Sequence, residues 1–219
     1  MQQKPMIILT GPTAVGKSAL SVKLAKKING AVISADSMQV YRHMDIGSAK
    51  IRPEEMCGVP HYLIDVLDPS EEFHVVKFVE LAHEAMEKIY AAGQIPIVTG
   101  GTGFYIQALL KEVDFTESHG ELPIRKQLEE KAATEEGAAE LYRELSEVDP
   151  ASAETIHPNN VKRVIRALEY YHETGQKISE HNEEQKQKES PYCSAYFVLN
   201  DERSILYDRI DRRVDQMIR

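Results

Sequence analysis

The sequence contains little that would support a metal-centred, redox or membrane-anchored function. Only two of its 219 residues are cysteines, Cys57 and Cys193, and their spacing fits neither a metal site nor a redox motif. The eight histidines include no HExxH motif and no Cys/His cluster, so no built-in zinc site is predicted. No apolar run approaches the roughly 18 residues of a membrane helix, and the start, MQQKPMIILT, lacks a signal-peptide layout. We therefore expect a cytoplasmic protein with free thiols and no membrane partner.

Most of the net charge of −9 lies in one segment of the chain. Residues 112–149 contain twelve acidic and four basic residues, which gives this segment −8 and leaves the rest of the chain at about −1. The overall charge therefore permits a local basic surface elsewhere, of the kind that a nucleic-acid partner requires.

Strand and helix patterns alternate over the first 110 residues. Short apolar runs predict strands, and the longer patterns between them predict helices. The predicted strands are 6–9, 31–35, 62–67 and 95–99, and the predicted helices are 17–28, 75–92 and one that begins near 104. This alternation is typical of an α/β fold, in which helices cover both faces of a parallel sheet and sites lie at the carboxyl ends of its strands.

From about residue 111 the pattern becomes polar and helical. Helices are predicted at 125–136, 138–148 and 160–174. A strand at 195–199 then returns to the sheet, and another helix follows it. We therefore predict an α/β core of residues 1–110 plus 192–219, with an inserted helical lobe of residues 111–191. The last helical pattern reaches Arg219 without a capping signal, so we expect a truncated chain with an incomplete final part of the core.

The strongest motif is GPTAVGKS, which matches the phosphate-loop pattern G-x4-G-K-[ST]. It lies between a predicted strand and a predicted helix, as this motif requires. Backbone N–H groups and the helix N-terminus would bind phosphate oxygens. Lys17 would neutralise the terminal phosphates, and Ser18 would ligate Mg²⁺. The predicted phosphate-binding residues are Gly11, Pro12, Thr13, Ala14, Val15, Gly16, Lys17 and Ser18.

Two further motifs follow strands that end at the same edge as this loop. Asp36, in SADSMQVY, could hold Mg²⁺ through a water molecule or take a proton from a nucleophile, but it could equally cap a helix or a turn. The segment GGTGFY contains Thr102 at a place where an ordinary ATPase or kinase has an apolar run that ends in aspartate. Its glycines suit close backbone approach to a ligand, although tight strand-to-helix packing would also explain them.

With these motifs in order, the sequence resembles the tRNA dimethylallyltransferase family, also called tRNA isopentenyltransferases, of bacterial type. The segments that carry the resemblance are GPTAVGKS, DSMQVYRHMDIGSAK, VPHYLIDVLDP, IPIVTGGTGFY, NNVKRVIRALE and LYDRIDRR. It implies a fold like that of P-loop nucleoside triphosphate hydrolases. It also implies transfer of a dimethylallyl group from dimethylallyl diphosphate to N6 of an adenosine, position 37 beside the anticodon, with release of diphosphate. Family members continue past this endpoint with a helical region that makes additional tRNA contacts.

The resemblance also implies roles for individual residues. Asp36 is the natural base, because the amine becomes cationic on attack and must lose a proton. Thr102 helps to position the reacting groups, and Thr13 contacts the diphosphate. The late arginine that stabilises the leaving diphosphate is expected in LYDRIDRR. We favour Arg213, with Arg209 as the alternative.

One face of the predicted helix at 160–174 is basic. Its apolar positions recur at core spacing: Val161, Val164, Ile165 and Leu168. Its basic residues fall within about 100° on the other side: Lys162, Arg163 and Arg166. Such a face is usually only solvated, but the family resemblance favours contact with the tRNA anticodon stem-loop, whose target base must be unstacked. The predicted tRNA-binding residues are Asp36, Ser37, Met38, Gln39, Lys162, Arg163, Val164, Ile165 and Arg166.

The partners are therefore predicted to be tRNA and dimethylallyl diphosphate, with Mg²⁺ as the cofactor and a monomeric protein. Two other functions stay open. An adenylate isopentenyltransferase shares the phosphate-loop chemistry but accepts a free nucleotide; the helical lobe and its basic face argue against it. A small-molecule or nucleotide kinase would bind ATP and use Asp65 as its magnesium-linked carboxylate. A comparison of thermal stabilisation by ATP and by dimethylallyl diphosphate, each with Mg²⁺, distinguishes a kinase from a dimethylallyltransferase.

Overall fold

The computed structural model describes residues 3–113 and 123–218. The chain divides into two compact units: unit 1 is Met1–Val113 together with Ser190–Arg219, and unit 2 is Asp114–Glu189. Part of the predicted helical lobe, residues 114–122, lies outside the described residues. None of the helices in the described ranges has the length and apolar character that crossing a membrane requires.

The secondary-structure elements of the described residues are as follows, in chain order. The strands are β1 (Lys4–Thr10), β2 (Gly30–Ser34), β3 (His61–Tyr62), β4 (Ile95–Gly100) and β5 (Tyr192–Val198). The helices are α1 (Lys17–Ile28), α2 (Pro53–Met56), α3 (Val75–Ala91), α4 (Gly103–Lys111), α5 (Pro123–Lys131), α6 (Glu135–Val148), α7 (Pro150–Thr155), α8 (Val161–Thr174), α9 (Ile178–Gln187) and α10 (Arg203–Ile218).

Unit 1 contains a parallel five-stranded sheet in the order β3-β2-β4-β1-β5. Side chains alternate between its two faces. Val32 packs with Val22 and Ala25 of α1 on one face, whereas Ile33 packs in a core that includes Phe78 of α3 on the other. The predicted α/β fold is therefore confirmed. Since both faces carry helices, a ligand reaches this part of the sheet most easily at the carboxyl ends of the strands.

The predicted strand at 62–67 is wrong beyond its first residue. Leu63 and Asp65 have positive φ angles of 61° and 56°, which a strand does not tolerate. The backbone N–H of Asp65 donates to the carbonyl of Gln39 at 3.2 Å instead of joining the sheet. The apolar residues of this run are therefore explained by burial and not by a strand, and Leu63 lies in the core.

Unit 2 contains α5 to α9 around its own apolar core. Leu141 and Leu145 of α6 pack there with Val164 and Leu168 of α8. The predicted helix at 160–174 is confirmed within one residue. The predicted helix at 125–136 is wrong at its end, because α5 stops at Lys131.

The start of α6 lies earlier than predicted, at Glu135 instead of residue 138. The Thr134 hydroxyl caps this helix by accepting a hydrogen bond from the N–H of Gly137 at 3.0 Å. A Cβ at Gly137 would lie 1.8 Å from the carbonyl oxygen of Lys131. The glycine is therefore inside α6, where it permits close approach of the turn that ends α5, and does not separate the two helices.

Asp149 joins two helices of unit 2 that the sequence did not predict individually. Its carboxylate accepts hydrogen bonds from the N–H and hydroxyl of Ser152 at 3.1 and 2.6 Å, at the start of α7. It also accepts from the N–H and hydroxyl of Ser179 at 3.0 and 2.6 Å, in α9. Burial raises the pKa of Asp149, but these four hydrogen bonds outweigh burial and leave the pKa below its ordinary value.

We expect Asp149 to make unit 2 sensitive to acid. A carboxyl group whose pKa is lower in the folded state stabilises that state above the ordinary pKa of about 3.9, and this stabilisation is lost as pH falls through the folded value. Asp149→Ala should lower the free energy of unfolding near neutral pH by about 1–3 kcal/mol, because a helix cap and several buried donors lose their acceptor. Denaturant unfolding from pH 7 to 3 tests this. The gap between wild type and variant should narrow below about pH 4; a constant gap would contradict the assignment.

Candidate active site

The predicted phosphate loop joins β1 to α1 and has the backbone of an anion-binding turn. Three of its residues have positive φ angles: Gly11 (146°), Ala14 (63°) and Gly16 (97°). A Cβ at Gly11 would lie 2.3 Å from the carbonyl oxygen of Leu199, so the first glycine of the motif cannot be replaced without moving the backbone. Lys17 and Ser18 are the first two residues of α1, where backbone N–H groups have no helical acceptor.

Lys17 folds back over this loop. Its Nζ donates hydrogen bonds to the carbonyl oxygens of Gly11 and Pro12, both at 2.8 Å. Burial lowers the pKa of Lys17, and the nearby charge of Arg213 lowers it further, while Asp36 opposes both effects. Negative phosphate groups at this position would favour the charged form of Lys17.

Asp36 lies two residues beyond β2 and caps the turn that follows. Its Oδ1 accepts hydrogen bonds from the N–H of Met38 at 2.9 Å and of Gln39 at 3.3 Å. The other oxygen, Oδ2, accepts no hydrogen bond within the described residues. The capping role considered from the sequence is therefore present, and it leaves one oxygen that could take a proton. Ser37 is half-buried and Met38 is exposed beside it.

The glycine-rich segment after β4 lies against the end of β2. A Cβ at Gly100 would lie 2.3 Å from the carbonyl oxygen of Ala35, the residue before Asp36, and the Ala35 N–H donates to the carbonyl of Thr99 at 2.8 Å. Thr102 then precedes α4, half-exposed, and its side chain does not cap the helix. Asp36 and Thr102 therefore follow two strand ends that are directly bonded to each other.

The two candidate arginines have different surroundings in unit 1. Arg213 donates a hydrogen bond from Nη2 to the carbonyl oxygen of Ala49 at 2.9 Å, and it lines a cleft with Ser18. Arg209 forms an ion pair with Asp201 at 3.0 Å. The structure therefore places Arg213 next to the phosphate loop and gives Arg209 a carboxylate partner of its own.

A cavity beside the phosphate loop contains side chains that fit a hydrated Mg²⁺. Lys17, Ser18 and Asp36 line it together with His61 and Thr99. His61 Nε2 and Thr99 Oγ1 are buried there without a hydrogen-bond partner within the described residues. No group of three or more His, Cys, Asp and Glu side chains among the described residues could hold a metal ion. Mg²⁺ does not need one, since it keeps several waters and binds through few side chains together with phosphate oxygens.

Asp65, the carboxylate required by the kinase alternative, is already paired. The buried Nζ of Lys50 donates to Oδ1 of Asp65, to Oδ1 of Asp45 at 2.6 Å and to the carbonyl of Tyr41 at 2.7 Å. These contacts tie the loop that follows Asp36 to the segment after β3. The sequence does not reveal this role of Lys50, because no local pattern shows that aspartates five and fifteen residues away meet one lysine.

The predicted tRNA-binding residues of unit 2 fall into two groups. Lys162 and Arg163 are exposed on α8. Val164 and Ile165 are only 1% and 4% exposed and belong to the core of unit 2. The prediction that their side chains contact tRNA is therefore wrong. The apolar spacing of this helix already predicts that both side chains face the core.

Arg166 differs from the other two basic residues of α8, because it is half-buried and paired. It donates from Nη1 to Oε2 of Glu169 at 2.9 Å, and Arg125 of α5 reaches the same oxygen at 3.4 Å. Glu169 is fully buried. Replacing Arg166 would leave this buried carboxylate with fewer partners, so its substitution is expected to destabilise unit 2 as well as change its charge.

A family model described as IPP transferase matches residues 39–219. Two bacterial relatives, both named tRNA dimethylallyltransferase, align with 98% of this chain and with 68% of their own length. The relative from Lachnoclostridium phytofermentans is 63% identical and the one from Bacillus licheniformis is 50% identical. The chain belongs to the IPP transferase family.

Solved structures of this family agree with the fold. The chain is 40% identical to a eukaryotic dimethylallyltransferase whose structures are described as acting on tRNA; the TM-score is 0.86 and the match covers 98% of this chain and 53% of the other. It is 46% identical to the full-length tRNA isopentenylpyrophosphate transferase of Bacillus halodurans, with a TM-score of 0.66 and coverage of 99% and 66%. This IPP transferase chain thus spans about half to two thirds of the length of these family members.

Proposed function

We propose that this chain carries the dimethylallyl-transfer site of a tRNA dimethylallyltransferase. In the proposed reaction, N6 of an adenosine beside the anticodon of tRNA attacks the primary allylic carbon of dimethylallyl diphosphate, and diphosphate leaves. The observation that carries the proposal is the cavity that Lys17, Ser18 and Asp36 share, in a chain that is 63% identical to a tRNA dimethylallyltransferase over nearly its whole length.

Asp36 is the group that removes the proton in this mechanism. The C–N bond forms as the bond from the allylic carbon to the diphosphate oxygen breaks, and the amine nitrogen becomes cationic. Its proton passes to Oδ2 of Asp36, the oxygen that the turn leaves unused. The hydrogen bonds from Met38 and Gln39 to Oδ1 hold the carboxylate in place for this transfer. Thr102, after the neighbouring strand, helps to position the reacting groups.

Lys17, the loop N–H groups and Arg213 stabilise the leaving diphosphate as its negative charge grows. In this structure the Lys17 ammonium rests on loop carbonyls, so it is held at the loop before a ligand arrives. Mg²⁺, which the Ser18 hydroxyl would help to hold, would supply further neutralisation of the leaving group.

The acceptor in this proposal is the anticodon stem-loop of tRNA, and the site would work as a monomer in the cytoplasm. Exposed Lys162 and Arg163 of unit 2 support a polynucleotide acceptor over a free nucleotide, which has no use for additional phosphate contacts. The kinase alternative loses support because Asp65 is committed to Lys50.

Mass spectrometry of the reaction products tests the proposal. The protein is incubated with dimethylallyl diphosphate, Mg²⁺ and unmodified tRNA, or with AMP in place of tRNA. Anticodon-loop digests should contain a dimethylallyl adduct on the adenosine beside the anticodon, and AMP should remain unmodified. An adduct on AMP but not on tRNA would favour the adenylate isopentenyltransferase. A phosphorylated product in a parallel incubation with ATP in place of dimethylallyl diphosphate would favour a kinase.

The exposed basic residues of α8 provide a prediction about tRNA affinity. Lys162→Ala with Arg163→Ala should weaken tRNA binding and reduce the slope of log affinity against log salt by about 1.5 units, from about 0.7–0.9 per neutralised phosphate. The free energy of unfolding should change by less than about 0.5 kcal/mol for each exposed residue. Filter binding at several salt concentrations measures the slope.

The matched control for this charge change lies in unit 1. Lys26 and Lys27 are also adjacent, exposed and basic, and they occupy the last turn of α1, at the opposite end of that helix from the phosphate loop. Their replacement by alanine removes the same charge and should leave the tRNA salt slope unchanged. Equal slopes for both double variants would mean that the α8 face is only solvated.

A further inference from the structure

Two buried polar atoms beside the phosphate loop lack the partner that such atoms normally have. Nε2 of His61 and Oγ1 of Thr99 are shielded from solvent and make no hydrogen bond within the described residues. The Thr99 residue as a whole is about nine-tenths buried. Leaving a buried polar group unpaired costs free energy, so such an atom in a native site calls for a missing partner. Both residues line the cavity that contains Ser18 and Asp36.

The sheet register places both side chains on the face that α1 covers. His61 of β3 pairs with Val32 of β2, which packs against α1, and Thr99 of β4 pairs with Ser34, two residues further along β2. Since β2 lies between β3 and β4, the two residues are separated by two strand spacings, roughly 10 Å, across the sheet and by two residues along it. They cannot bond to each other, so each needs a partner inside the cavity.

The hydrogen bond at the other ring nitrogen fixes what His61 can bind. Its Nδ1 lies 2.8 Å from the carbonyl oxygen of Val59, which can only accept, so Nδ1 carries the proton. Burial lowers the pKa of His61, which favours the neutral ring. Nε2 is therefore a hydrogen-bond acceptor, and the missing partner must be a donor.

Among the components of the proposed reaction, few can donate at this position. Diphosphate oxygens accept hydrogen bonds and carry negative charge, and the dimethylallyl group has no polar hydrogen. The adenosine amine is a donor, but it must reach Asp36, and Nε2 is too well shielded for a base to approach. Mg²⁺ keeps several of its waters when it binds a diphosphate, and each such water is a strong donor of the right size.

We propose that His61 Nε2 and Thr99 Oγ1 accept hydrogen bonds from water molecules carried by Mg²⁺ and so position the ion beside Ser18. They are positioning residues, because they act on the ion through its waters and touch neither the diphosphate nor the acceptor. The inference rests on the proposed function, since it requires that Mg²⁺ accompany the diphosphate.

Three substitutions separate this role from a merely structural one. His61→Asn places an amide N–H near the position of Nδ1, where it can still donate to Val59, and removes the acceptor at Nε2. His61→Gln does the reverse and places an amide oxygen near Nε2. Thr99→Val removes only the hydroxyl and keeps the shape of a residue well suited to a strand.

The experiment is a calorimetric titration of Mg²⁺ into the protein with saturating inorganic diphosphate, compared with diphosphate binding in EDTA. His61→Asn and Thr99→Val should weaken Mg²⁺ binding by about 10–100-fold, the usual effect of losing a group that orients a metal ligand. His61→Gln should stay within a few-fold of wild type. Diphosphate binding in EDTA should be the same in all four proteins. Thr99→Val without ligand should unfold at the same or a higher temperature, because it loses an unpaired buried hydroxyl.

The outcomes separate this inference from the function on which it rests. If wild type requires Mg²⁺ for tight diphosphate binding but the Asn and Val variants bind the ion as wild type does, the positioning role is wrong and the function stands. If wild type binds diphosphate equally with and without Mg²⁺, the cofactor of the proposed function is wrong, and this inference fails with it. Should His61→Asn fail to fold, the Thr99→Val titration decides the result.

Discussion

Replacing Asp36 with asparagine is expected to lower the turnover of dimethylallyl transfer by about 10²–10⁴-fold, the range for a positioned general base. Asparagine keeps an oxygen that can accept the hydrogen bonds from Met38 and Gln39, so the turn should keep its shape. What it loses is the ability to take the proton from the cationic amine. Single-turnover kinetics with labelled dimethylallyl diphosphate and tRNA measure the chemical step directly.

Binding measurements decide how an Asp36 effect is interpreted. The affinity for inorganic diphosphate in Mg²⁺ should change little in the Asn variant, since the base acts on the acceptor amine and not on the leaving group. Asp36→Ala removes the turn cap as well and should cost about 1 kcal/mol more in folding stability. Equal losses of diphosphate affinity and turnover in the Asn variant would assign Asp36 to Mg²⁺, and unchanged turnover would contradict both roles.

Lys17→Ala should weaken binding of dimethylallyl diphosphate and of inorganic diphosphate by the same factor, about 100-fold or more. Each hydrogen bond from an ammonium group to a charged oxygen contributes about 1.5–3 kcal/mol, and 1.4 kcal/mol corresponds to a tenfold change in affinity. The affinities for the two ligands should fall by the same factor, because the lysine interacts with phosphate charge and not with the dimethylallyl group. Isothermal titration calorimetry with both ligands in Mg²⁺ gives the comparison.

The control for Lys17 lies on the same helix. Lys23 is exposed further along α1, so Lys23→Ala removes one positive charge without touching the loop and should leave both affinities nearly unchanged. A loss of ATP binding in Lys17→Ala with diphosphate binding intact would restore the kinase alternative.

The parts of the fold that the sequence predicted correctly are those whose burial pattern has a regular period. The helix at 17–28 matches α1 residue for residue, because its apolar side repeats and a glycine precedes it. The run at 62–67 has an equally apolar pattern, but the partner of its backbone is Gln39 in a distant loop. Periodicity reports that a segment is buried and does not report which backbone groups will bond to it.

Some residues of the candidate site could likewise be predicted from the sequence, and others could not. The phosphate loop and Asp36 could be predicted because each follows a strand, and parallel strands end at a common edge. The unpaired Nε2 of His61 could not, because it depends on the Val59 carbonyl and on the strand register. The choice between Arg213 and Arg209 likewise depends on which residue meets Asp201 across the turn before α10.

The pairing of β1 with β5 has a consequence for how the chain folds during its synthesis. Lys4 pairs with Tyr192 and Thr10 with Val198. β1 therefore pairs with a strand that is synthesised almost two hundred residues later. Contacts of such long separation close slowly, because the intervening chain loses entropy before the contact is formed. The contacts within Asp114–Glu189 are more local, and this segment emerges from the ribosome before β5. Unit 2 can therefore fold while this sheet is still incomplete, and β1 remains without its second neighbour until β5 is made.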